Sequence, residues 1–188
     1  MTELAKRYGG SLYDLAAEEG LEARLLDELD TAVACFTADP QYYKLLGNPG
    51  IPKRERSALL DEAFGKEMHP YVVNFLKLLC DEELLRELRL CARAYRQRYY
   101  DANGIVEAVV TCAVQPDEAA LDKLRTQLEA RTGKQVLMQV RIDPDILGGI
   151  RVELGGERLD GTVRRQLDTL RSAIAAAASA PEQPEKKE

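Results

Sequence analysis

Residues Val136 to Gly156 read VLMQVRIDPDILGGIRVELGG, and this stretch decides the fold of the C-terminal half. Val136, Met138, Val140 and Ile142 alternate with Leu137, Gln139 and Arg141, the period of two expected of a strand that buries one face. Asp143, Pro144 and Asp145 supply a turn. After Gly148 and Gly149, Ile150, Val152 and Leu154 alternate with Arg151 and Glu153 as a second half-buried strand, which Gly155-Gly156 ends. A glycine pair at a strand entrance predicts a bulge or a second backbone passing close by. No catalytic side chain stands anywhere in the stretch, which points to scaffolding rather than chemistry.

Working outward, Ile105 to Ala113 reads as an earlier strand and Pro116 to Arg131 as a helix with Leu121, Leu124 and Leu128 facing inward. On the other side, Asp160 is an N-cap candidate for a last helix, with Val163, Leu167, Leu170 and Ile174 on one face and Arg164, Arg165 and Arg171 on the other. The final PEQPEKKE is a charged, proline-spaced tail expected to be disordered. Upstream of Gly104 the period changes to that of helices. Leu4, Tyr8, Leu12, Leu15 and Ala16 form a first helix that stops at Gly20. Leu21, Leu25, Leu29, Ala32, Val33 and Phe36 form a second, ending before Pro40. A short third helix spans Pro40 to Leu46, and Pro52 opens a fourth that carries Leu59, Leu60 and Phe64. Val72, Phe75, Leu76 and Leu79 belong to a very apolar fifth, and Leu84, Leu88, Cys91, Ala92, Tyr95 and Tyr99 to a sixth closing at Asn103-Gly104. The fold class is therefore mainly α: an antiparallel six-helix bundle over 1–104, a small α/β domain over 105–176, and a tail over 177–188.

Composition narrows the function. The 188 residues are 45% hydrophobic and 31% charged, enough to bury a core, and the net charge of −6 argues against a nucleic-acid or anionic-membrane surface. No apolar run approaches the roughly 20 residues of a membrane span, and MTELAKRYGG lacks the apolar stretch of a signal peptide, so a soluble intracellular chain is expected. Cys35, Cys80, Cys91 and Cys112 show no C-x-x-C spacing and read as reduced packing residues. One histidine, His69 before Pro70 at a helix start, cannot build a transition-metal centre alone. The glycine pairs fit neither a P-loop nor G-x-G-x-x-G, and Asp143 and Asp145 lack a third ligand. No cofactor, metal or catalytic residue is assigned.

Three stretches, in order and correctly spaced, carry a resemblance. The first is the signature of Val136, Met138, Ile142, Asp143, Ile146, Gly148, Gly149, Ile150, Val152, Glu153 and Gly155. The second is Leu159-Asp160-Gly161-Thr162-Val163-Arg164-Arg165-Gln166-Leu167, and the third is Ala108 to Ala113, with Cys112 where threonine is usual. They resemble the delta subunit of F-type ATP synthases, the family of the mitochondrial oligomycin-sensitivity-conferring protein. Tyr8 to Leu15, Leu46 to Pro49 and Asn74 to Leu79 extend the likeness through the helical half. Two departures stand out. Gly9-Gly10 replaces small helix formers, read either as tolerance of weak positions or as a bare backbone for a partner helix. Glu82-Glu83-Leu84 replaces an Asn-Gly-Arg turn.

The resemblance implies a non-catalytic stator connector, present in single copy in a hetero-oligomeric, proton-translocating enzyme at the cytoplasmic face of a bacterial inner membrane, or on the stromal side in a plastid, with no insertion of its own into the bilayer. Its helical domain would grip N-terminal helices of the alpha subunits, its C-terminal domain would hold the C-terminal ends of the b subunits, and the whole would resist rotor torque. By position, the implied alpha-binding groove falls on Tyr8, Ser11, Leu12, Leu15, Asn74 and Leu78, and the structural signature on Asp143, Gly148, Gly149, Asp160 and Gly161. Two rivals remain: a free-standing helical adaptor that binds amphipathic helices, and a small hydrolase or transferase on the α/β half, which would need a polar site that the sequence does not display.

Overall fold

The structure, a computed structural model, describes residues 2–48, 50–146 and 149–160. It divides into two compact units between Asn103 and Gly104. The expected last helix, with Gly161, and the tail lie outside the described residues, as does Gly148.

Among the described residues the first unit holds six α-helices: α1 (Glu3–Glu19), α2 (Glu22–Ala38), α3 (Pro40–Leu46), α4 (Lys53–Phe64), α5 (Pro70–Asp81) and α6 (Leu88–Ala102). Their ends follow from local chemistry. The Thr2 hydroxyl accepts from the Ala5 N–H at the start of α1, and Gly20, at φ 69°, ends it in the left-handed conformation. Asp39 caps α3 through the N–H groups of Gln41 and Tyr42, with Pro40 in the first turn, where its missing N–H costs nothing. His69 Nδ1 accepts from the Tyr71 N–H and so caps α5. The interior is one apolar cluster in which Leu25, Leu29, Leu60, Leu76, Leu79 and Tyr95 are fully enclosed. Tyr95 meets its polar requirement by donating to the Glu22 carbonyl at 3.0 Å.

The sixth helix starts later than the sequence predicts. After α5 the chain makes a 3₁₀ turn, Leu85–Glu87, before α6 begins at Leu88. The cause is the stop at the end of α5. The Leu84 N–H reaches back to the Leu79 carbonyl and the Glu83 N–H to that of Cys80, a Schellman arrangement that requires a left-handed residue between them. Glu83 fills that position at φ 57°, the only described residue other than glycine with positive φ.

In the second unit β1 (Ile105–Cys112), α7 (Glu118–Thr132), β2 (Gln135–Ile142), β3 (Ile150–Leu154) and β4 (Glu157–Asp160) form one sheet of order β2-β1-β3-β4 with a helix packed on it. β1 and β2 run parallel, as a strand–helix–strand crossover permits, while β3 pairs antiparallel with both β1 and β4. Ala108, Val110, Val136, Val152 and Leu154 build the core with Leu128 of α7. Of the three leucines expected inward on α7, Leu128 is buried while Leu121 and Leu124 are half-buried. The alternation in β2 also fades outward: Val136 is enclosed, Met138 and Val140 are half-buried, and Ile142 is 54% exposed.

β4 is absent from the sequence reading, which ends the strand at Gly155-Gly156 and assigns Asp160 to a helix cap. Both glycines take positive φ, 55° and 95°, as a two-residue type I′ hairpin turn demands. The chain therefore returns as a strand, Leu154 opposite Glu157, and Asp160 stands in register with Arg151.

Candidate functional site

The six residues singled out on α1 and α5 come together in one groove. α1 contributes Tyr8, Ser11, Leu12 and Leu15, and α5 contributes Asn74 and Leu78, joined by Tyr71 and Phe75, which the sequence reading left out. Each helix supplies positions i, i+3, i+4 and i+7, the spacing that aligns side chains along one stripe. That spacing, counted back from Asn74 and Leu78, is the signal by which Tyr71 and Phe75 could have been found.

The lining divides by depth. Leu12 and Phe75 are buried and form the floor, continuous with the core. Leu15 and Leu78, at 39% and 44% exposure, form the walls, and Ser11 and Asn74 stand exposed between them. Leu4, 41% exposed and one turn ahead of Tyr8, prolongs the apolar stripe. The Arg7 guanidinium lies 5.4 Å from the centre of the Tyr8 ring. By Leu15, the Tyr71 hydroxyl donates to Glu19 Oε1 at 2.5 Å, and that bond, with burial, holds the phenol above its ordinary pKa. The groove has a volume of about 230 Å³ and no charged side chain in its lining.

His69, the sole histidine, is committed to the α5 cap, and its ring lies against Tyr71 at 4.8 Å. Among the described residues no three His, Cys, Asp or Glu side chains converge as metal ligands. What the groove offers is half-exposed leucine and tyrosine surface flanked by two small polar groups.

Of the signature residues, Asp143 and Gly149 serve the backbone. The Asp143 N–H continues the sheet to the Cys112 carbonyl. Its carboxylate accepts from the Asp145 N–H and its carbonyl from that of Ile146, which fixes the turn and buries Ile146. Gly149 takes φ 80° immediately before β3.

Gly9 also receives a definite account, which differs from both readings above. A Cβ on Gly9 would lie 2.3 Å from the Cys91 carbonyl oxygen and 3.0 Å from Ala94 Cβ, so the bare backbone admits α6 of the same chain rather than an outside partner. At Gly10 the nearest atom is the end of the Arg98 side chain, at 3.1 Å.

Comparison with known proteins agrees with this architecture. A chain in the Toxoplasma gondii mitochondrial ATP synthase hexamer shares the fold, with TM-score 0.69 at 19% identity over 96% of this chain and 100% of that one. ATP synthase subunit delta of Clostridioides difficile (strain 630) is 31% identical over 172 residues, 91% of this chain and 95% of the relative. The subunit of Erythrobacter litoralis (strain HTCC2594) is 33% identical over 172 residues, 91% and 94%. The sodium-ion-specific subunit of Ilyobacter tartaricus is 30% identical over 168 residues, 89% and 96%. With a family profile, ATP synthase delta (OSCP) subunit, matching residues 4–174, the chain belongs to the ATP synthase delta (OSCP) subunit family.

Proposed function

We propose that this protein is a non-catalytic stator connector whose α1–α5 groove docks an N-terminal helix of an alpha subunit. The chain is a component of an ATP synthase assembly. In this reading residues 1–104, arranged as an antiparallel bundle, hold the catalytic head, and residues 105–176 hold the C-terminal ends of the b subunits, so that the head is kept from turning with the rotor during proton-driven synthesis. Attachment is peripheral, on the cytoplasmic face of the membrane; no helix among the described residues is long and apolar enough to cross a bilayer.

The observation that carries the proposal is the uncharged groove itself. Eight residues from two helices leave half-exposed leucines over a buried floor, and among the described residues neither wall leucine is covered. A connector under torque needs an attachment whose strength comes from buried apolar anchors rather than from screened surface charge.

Calorimetric titration of the full chain with a peptide of the alpha-subunit N-terminal helix from the same organism tests it. One-to-one binding is expected, weakened tenfold or more, on the order of 1.4 kcal/mol, by Leu78→Asp or Ser11→Arg. Both positions are exposed, so the variants keep the wild-type circular dichroism spectrum. Absence of binding by the folded wild-type chain would refute the assignment of the groove.

A further inference from the structure

A second concavity of different chemistry opens on another face of the helical unit. It has a volume of about 350 Å³ and lies between the end of α2, the start of α3, the 3₁₀ turn and the first turn of α6. Its floor is apolar: Phe36, Leu85 and Leu88 are buried. Its rim carries Arg86 and Arg89, three residues apart and therefore on one side of the chain. The Arg89 guanidinium donates to the Thr37 hydroxyl at 3.0 Å, which holds it across the cavity wall. Among the described residues neither arginine is ion-paired, and no acidic side chain lines the cavity.

The adjoining cavity, of about 310 Å³, shares the walls Tyr43, Leu85 and Arg86, and adds Lys44 and Arg56 against a single acid, Glu83. Arg56 is 4% exposed, and its Nε has no acceptor. A chain of net charge −6 thus gathers four cations, with Glu83 as the one acid, around two adjoining cavities, and two of the four, Arg86 and Arg89, line the apolar one. Hollows of this size, apolar with a few convergent polar groups, suit small ligands, and arginine binds a carboxylate by paired charge-assisted hydrogen bonds.

We propose that this cavity binds a small carboxylate-headed amphiphile, its head on Arg86 and Arg89 and its alkyl tail on the floor of Phe36, Leu85 and Leu88. The site is independent of the α1–α5 groove, which has no charge in its lining.

The test titrates the full chain with octanoate, 1-octanol and acetate, followed by calorimetry and by the amide resonances of Thr37 and Leu88. Octanoate is expected to bind saturably at one site, roughly tenfold or more tighter than octanol, with acetate silent. Arg86→Gln with Arg89→Gln, both on exposed side chains, should abolish that preference and leave octanol binding unchanged. Leu78→Asp should leave octanoate binding intact, so failure of the helix-docking reading and failure of this one are separable. Equal affinity for octanoate and octanol, octanoate shifts that map to Tyr8 and Leu78 instead, or an acidic amphipathic peptide occupying the cavity where octanoate does not, would each overturn the proposal.

Discussion

Replacing Gly9 and Gly10 separately by alanine should move stability in opposite directions, although the two are adjacent in one helix. In a helix interior glycine costs up to about 1 kcal/mol relative to alanine, so propensity alone stabilises both variants. At Gly9 the new Cβ would stand 2.3 Å from the Cys91 carbonyl oxygen, a backbone atom of α6 that no rotamer change can remove. An ordinary carbon–oxygen contact is about 3.3 Å, so α1 and α6 must part by about 1 Å along a seam that also holds the edge-to-face pair of Tyr13 and Tyr95. Overpacking of this kind costs about 1–3 kcal/mol, with the backbone clash favouring the upper part, and leaves Gly9→Ala less stable by about 1–2 kcal/mol after the propensity gain. At Gly10 the contact is the end of the Arg98 side chain, about half exposed, which can swing outward. Its surface ion pair with Asp14 is worth little, so Gly10→Ala should gain a few tenths to about 1 kcal/mol. Thermal unfolding followed at 222 nm should show a transition of the helical unit lower by about 4–15 °C in the first variant and higher by up to about 8 °C in the second. A Gly9→Ala protein as stable as Gly10→Ala would refute the close approach of α1 to α6.

Glu83→Gly should stabilise the helical unit by roughly 0.5–1 kcal/mol, because the left-handed conformation at φ 57° strains a side-chain-bearing residue by more than glycine's added unfolded-state freedom takes back; the urea midpoint reads it. Arg56→Met should cost about 2–4 kcal/mol by equilibrium unfolding, with Arg56→Lys intermediate, because one Nη1 donates to the Leu46 and Cys80 carbonyls at the ends of α3 and α5. A thiol reagent at pH 8 should modify exposed Cys35 rapidly and Cys80, Cys91 and Cys112 only after denaturation. Burial pushes the Cys91 thiol from 9.0 up to about 11, so the folded state holds the neutral form longer than the unfolded one; the stability this gives is whole below about pH 9 and is lost as pH rises through about 11. Cys91→Ala should remove that part of the alkaline loss, seen as a shallower fall in melting temperature between pH 9 and 11.

What the sequence made legible was set by short-range chemistry with one dominant cause. Gly20 ends α1 and Pro40 opens α3 because few residues satisfy those backbone positions. β4 escaped for the opposite reason: in Glu157-Arg158-Leu159-Asp160 a single apolar residue gives no alternation to read, and only the Gly155-Gly156 turn announces a return strand. The start of α6 was misplaced because Glu83 occupies a position where glycine would have marked the break. Alternation named the inward face of β2 correctly, but it carries no information on how far the covering layer reaches, and Ile142 is therefore exposed at the strand end.

The groove residues were reached through a resemblance; the physical reason they are free to form a site lies in α1, which carries two apolar stripes where a surface helix needs one. Ala5, Gly9, Tyr13 and Ala16 are buried, small except for the tyrosine, and Gly9 seats directly on α6. Beside it on the helix, Leu4, Tyr8, Ser11 and Leu15 recur at a similar spacing, three of them with large side chains, and Leu4 and Leu15 stay about 40% exposed. The first stripe seats α1 on α6; of the second, Tyr8 packs partly against the core, while Leu4 and Leu15 have no packing role among the described residues that requires large apolar side chains. In the proposed reading, that exposed apolar surface is what a docked helix covers. The two stripes are also mechanically linked, because the wall that presents Tyr8 and Leu15 is held wherever Gly9 lets α1 rest on α6. Gly9, inside the bundle, thereby helps to set the width of the groove, and in the proposed docking α1 would bear a pull from a bound helix only as firmly as that buried seam holds.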